Sequence, residues 1–220
     1  MRLIETLQAE HALIDRMLGA FCAYVDGLAA GGADPADGKS FAAFFTLFAA
    51  GYHHAREEGL FLAALVREAR LPERRGPVWA VTREHALMAS WLGELAPLLG
   101  RRPGGAAEGD RLQALTRRYA HALWRHIDAE TSVLYPEGVG RLRLCGLYAL
   151  PDRAMTGAEA AARDGAEALL RRYPPVVDAT LLRGDGCFLC QAHGLTCEGL
   201  EAEWWSELEW DAFYAGDVSD

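Results

Sequence analysis

The chain contains a single lysine, Lys39, and acidic residues outnumber basic ones 31 to 22. A net charge of −9 argues against a nucleic-acid binder. No stretch approaches the roughly 20 uninterrupted apolar residues of a membrane span. Met1-Arg2-Leu3-Ile4-Glu5 leads straight into an amphipathic pattern, without the basic start and long apolar core of a secretion signal. A cytoplasmic location is therefore expected, with no membrane partner. The five cysteines are odd in number and too few to form a disulfide scaffold in 220 residues. Proline is missing from the whole of residues 41–66, and that gap permits one long helix.

Apolar residues make up 51% of the chain, enough for one generous domain or a domain with an appendage. The first helical run, about residues 2–28, carries Leu7, His11, Ile14, Leu18, Phe21 and Val25 at steps of three and four. Asp15 lies one turn beyond His11. The second run, 40–70, has Ser40 as its expected cap and Phe41, Phe44, Phe45, Phe48 and Tyr52 as an early apolar band. The third opens near Pro77 and steps through Val78, Val81, His85, Met88, Leu92, Leu95 and Leu99. The fourth is expected to start at an Asp110 cap. It runs through Leu112, Leu115, Tyr119, Ala122, His126, Ala129 and Val133 until Tyr135-Pro136 ends it.

These patterns predict an all-α fold: an up-down-up-down four-helix bundle over residues 1–136. Residues 137–220 form an extension. In it Thr156 and Glu159 read as a capping box opening a short helix to Arg172. A cysteine segment and an acidic, Trp-rich helix follow, the latter with Leu200, Trp204, Trp205 and Leu208 on one side.

Each of the four runs carries a histidine in or beside its apolar face. His53 and Glu57 are four residues apart on one helix, as are His54 and Glu58, and as are His126 and Glu130. Spacing alone does not choose between His53/Glu57 and His54/Glu58. A buried carboxylate needs a cation or a partner. Arg56 and Arg125 are the nearby arginines that could serve instead of a metal. Buried imidazoles paired with carboxylates across four rods are the pattern of a dinuclear metal site.

The set His11, His53-His54-x-x-Glu57-Glu58, Glu84-His85 and His126-x-x-x-Glu130 with Leu134-Tyr135-Pro136 resembles the haemerythrin-like family of cation-binding bundles over about 136 residues. The resemblance implies His11, His53, His85 and His126 as nitrogen ligands. It implies Glu57 and Glu130 as carboxylates bridging two iron ions, Fe2+ or Fe3+, with an oxo or hydroxo bridge. Asp15 would be an outer partner of His11. Oxygen carriers of the family have a further third-helix histidine where this chain has Val81, and an Asp five residues after the fourth-helix histidine. The chain is more similar to members implicated in iron–sulfur cluster repair and to sensor domains. Four histidines, two bridging glutamates and one bridging oxygen leave about one open position on each of two six-coordinate irons.

The extension holds Cys187, Cys190, His193 and Cys197 within eleven residues, a candidate zinc or iron–sulfur site. The tail indoles must be covered, by the bundle itself, by a second copy in a homodimer or by another protein. The function expected from all this is binding of, or redox reaction with, a small oxidant such as dioxygen, peroxide or nitric oxide, an oxidoreductase being one form of it. The alternative is a sensor or iron-donating module whose tail contacts a partner.

Overall fold

A computed structural model describes residues 1–177 and 204–216, and among these the chain is helical with no strand. The cysteine segment, with Cys187, Cys190, His193 and Cys197, lies outside the described residues. None of the described helices is long and apolar enough to cross a membrane.

Helix α1 (Arg2–Ala29) buries the expected stripe from Leu3 through Leu28. The second rod begins at α2 (Pro35–Ala43), ahead of the expected Ser40. Asp34 is the cap, its carboxylate accepting from the Ala36 amide at 2.9 Å, and Pro35 fills the first turn where no N–H is required. A Cβ on Gly38 would collide with the Leu99 carbonyl oxygen, so only glycine lets this rod pack so tightly on the end of the third. The rod then widens into two segments with i→i+5 hydrogen bonding, Phe44–His54 and Glu57–Leu62, before α3 (Ala63–Arg67).

Helix α4 (Gly76–Leu99) has Pro77 in its first turn, as expected. Helix α5 (Ala106–Ala129) starts a turn before Asp110. It passes through another wide segment, Glu130–Leu134, directly into α6 (Tyr135–Leu144). Pro136 therefore does not end the fourth rod. It falls where the bonding pattern changes from the wide turn to the regular one, and there a missing N–H interrupts least. Thr156 and Glu159 form the expected capping box for α7 (Gly157–Asp164), and a break at Gly165 separates it from α8 (Ala166–Arg172). The last helix, α9 (Glu207–Gly216), begins after Trp204 and Trp205. Trp204 is buried but Leu208 is exposed, so the expected shared face does not form.

Packing of α1 on α5, α4 on α5 and α2 on α4 produces two separate apolar cores. One gathers Phe21, Phe41, Phe44, Phe45, Phe48 and Tyr119 with neighbouring aliphatics. The other gathers Leu3, Leu7, Phe61, Leu65, Val81, Leu134 and Trp204. Every rod passes from one core to the other. In α1 the crossing falls between Leu7 and Ile14, and in α4 between Val81 and Met88. In the second rod it falls between Tyr52 and Phe61, and in the fourth between Ile127 and Leu134.

Candidate metal centre

The interval between the cores is filled by polar side chains. Helix α1 contributes Glu10 and His11, and the wide-turn rod contributes His53, His54 and Glu57. His85 comes from α4, and His126 and Glu130 from the fourth rod; all eight are buried. They fall into two groups, His11–His53–Glu57–Glu130 and His54–Glu57–His85–His126, within each of which the candidate ligand atoms lie within 4.8 Å of one another. Either group could hold a cation, and Glu57 belongs to both. Glu130 also reaches the second group, 3.1 Å from His126 Nε2, and lies 3.2 Å from His11 Nε2.

All six residues named from the bundle motifs thus meet at one layer. The choice between His53 and His54 dissolves, because both point inward, one to each group. Sequence reading at a regular helical period forces that choice. A wider turn holds more residues, so neighbours diverge less around the axis. Glu58 does not replace Glu57. Its half-exposed carboxylate instead lies 2.8 Å from His85 Nδ1.

Outer partners fix the imidazoles. Glu10 Oε2 lies 2.8 Å from His53 Nδ1, Glu84 Oε2 lies 2.7 Å from His126 Nδ1, and Thr131 Oγ1 lies 3.0 Å from His11 Nδ1. An ionised carboxylate only accepts, so it places the ring proton on Nδ1 and leaves the Nε2 lone pair facing the layer. The Nε2 atoms of His85 and His126 are then 2.8 Å apart. Two nitrogens that close need a proton or a cation between them.

Burial acts to lower His126, but Glu130 and then Glu84 outweigh it and hold its pKa well above the usual value. Burial drives His53 down to about 4, and lowers His54 and His85 too. Burial, reinforced by Glu130, raises Glu57 well above the carboxylate range. Burial pushes Glu130 the same way, but His126 and His11 prevail and hold it well below the usual carboxylate value.

Hydrogen bonds do not account for this layer. His53 Nε2, His54 Nε2, Glu57 Oε2 and both Glu130 oxygens are buried without a properly aligned partner. Such atoms are expensive in an apolar interior. Neither arginine offered as a substitute for a cation supplies one. Arg125 is exposed. Arg56 is buried but turns away, bonding both Glu10 oxygens and Asp152. Nitrogen and carboxylate donors left unsatisfied, with fixed tautomers, suit a first-row metal.

Sequence reasoning missed Glu10, Thr131 and Asp152 as participants. The Glu-His dipeptides at 10–11 and 84–85 were the one available signal: in each, the Glu serves a histidine from a different rod. Tyr135, noted only as part of a motif, also reaches the layer, its hydroxyl donating to Glu57 Oε1.

The family model for the Hemerythrin HHE cation binding domain matches residues 2–137. No curated protein and no solved structure matches the chain.

Proposed function

The chain belongs to the haemerythrin HHE cation-binding family, and on that premise we propose that it is a non-haem di-iron protein. It binds or reacts with a small oxidant, dioxygen, peroxide or nitric oxide, in redox chemistry or a stress response. We read the four rods, which cross the polar layer in alternating senses, as an up-down-up-down bundle with residues 137–220 as an extension. The observation that carries the reading is the pair of facing Nε2 atoms on His85 and His126, 2.8 Å apart, beside five buried polar atoms that no hydrogen bond satisfies.

His11 and His53 would hold one metal, and His54, His85 and His126 would hold the other. Glu57 and Glu130, which reach both groups, would serve the two together. Two irons would supply one-electron redox steps. The fifth nitrogen, His54, lies beyond the four the motifs imply. The chain's own part is to fix the ring tautomers through Glu10, Glu58 and Glu84, and to exclude water with an apolar core on either side. The similarity to repair and sensor members rests on Val81 and Glu130 standing where oxygen carriers differ.

A sensor or iron-donor role is the second reading, favoured by Phe213 and Tyr214, about half-exposed on the tail helix. Peroxide consumption by the iron-loaded chain separates the two. Metal analysis tests the core claim. The purified chain should carry about two irons, and Glu57→Ala, which removes the shared carboxylate, should lose more than about 100-fold in affinity at both groups. Unchanged iron content in that variant would refute the reading.

A further inference from the structure

The two groups of candidate ligands are unequal. Three imidazoles serve one of them, and only His11 and His53 serve the other. The Tyr135 hydroxyl lies at the poorer one. It donates to Glu57 Oε1 and sits 3.3 Å from His11 Nε2. Its ring stacks on His11, with centroids 5.5 Å apart and planes inclined by 12°. Among the described residues, both polar contacts of this phenol are with that group. Tyr24, equally buried, does what an ordinary interior tyrosine does and donates to a backbone carbonyl, Leu99 O at 2.6 Å.

The helix geometry explains why Tyr135 points there. It follows Glu130 by five residues across the wide-turn segment Glu130–Leu134. With i→i+5 bonding the fifth residue comes nearer the first around the axis, whereas a regular helix would turn it further aside.

We propose that Tyr135 is a ligand, its phenolate oxygen completing the His11–His53 side of the centre. The inference rests on the di-iron reading above and adds a residue to it. Tyrosinate is an established donor to iron in other protein settings. On metal binding the O–H bond breaks and the oxygen lone pair forms the coordinate bond. The proton is released to solvent, and Glu57, its present acceptor, keeps both oxygens free for the metals. Nothing is oxidised or reduced in that step.

The test uses the full chain loaded with ferrous iron under nitrogen and then oxidised with ferricyanide. A phenolate bound to ferric iron gives a charge-transfer band in the visible region, and excitation within it enhances tyrosine ring vibrations in the Raman spectrum. The wild-type chain should show both. Tyr135→Phe retains the ring that packs on His11 and, at 5.7 Å, on Phe61, and it should lose both signals. Equal visible spectra from the two chains at equal iron content would overturn the proposal. If the variant takes up less iron, the wild-type Raman spectrum decides alone: iron bound without enhanced tyrosine modes overturns the ligand and leaves the di-iron reading standing. Failure of the wild-type chain to bind iron would overturn both, so the two failures are distinguishable.

Discussion

The two sides of the polar layer are held in place differently. Behind His53 stands a closed relay: Glu10 is buried, Arg56 bonds both of its oxygens, and Asp152 receives the far side of the guanidinium. Tyr52 lies under that guanidinium, with Arg56 at 4.1 Å and Arg153 at 4.7 Å from its ring centre. Behind His85 and His126 stand single carboxylates, Glu58 and Glu84, with side chains 42% and 41% exposed. One side is thus clamped by charges in a low-dielectric interior, the other by charges that water screens. Identical first partners, a carboxylate on Nδ1, carry different energetic weight on the two sides.

Breaking the clamp should have the largest effect. Arg56→Met leaves Glu10 buried without its counter-charge, and should cost about 3–5 kcal/mol in denaturant unfolding of the metal-free chain. Glu58→Gln on the open side should cost less than about 1 kcal/mol in the same measurement. Equal losses would erase the contrast.

A smaller effect concerns metal affinity. Glu10→Gln should weaken iron binding about 10–100-fold, and Glu84→Gln should fall at or below the bottom of that range, by competition with a chromophoric chelator.

The smallest effect sharpens the outermost link. Arg153, which covers Tyr52, is paired with Glu159, 2.8 Å away. That contact draws the Glu159 pKa from 4.5 down to about 2. A lowered folded-state pKa stabilises above the unfolded value and is lost as pH falls through the folded one. The difference in melting temperature between wild type and Glu159→Gln should therefore be constant above about pH 5 and vanish towards pH 2. A difference that persists at pH 2 would assign the effect to packing.

Much of the site was legible because His11, His85 and His126 are single polar residues in otherwise apolar stripes, a local signal that helical period alone exposes. His54 was only half legible. Its phase depends on turn width, and the wide turn has no marker in residues 44–62 beyond the absence of proline. The partners Glu10, Thr131 and Asp152 were invisible as such, because each is set by which rods become neighbours. The fold was legible in its helices but less so at their ends. Asp34-Pro35 outcompetes Ser40 as a start, and Pro136 lies at a change of turn instead of at a stop.

The layer's position between two sealed apolar cores also bears on how fast the protein fills. The histidines of the layer are buried, and the half-exposed carboxylates nearest them, Glu58 and Glu84, lie on the His85 and His126 side. A cation held between two such cores should therefore enter slowly and, by the same barrier, leave slowly.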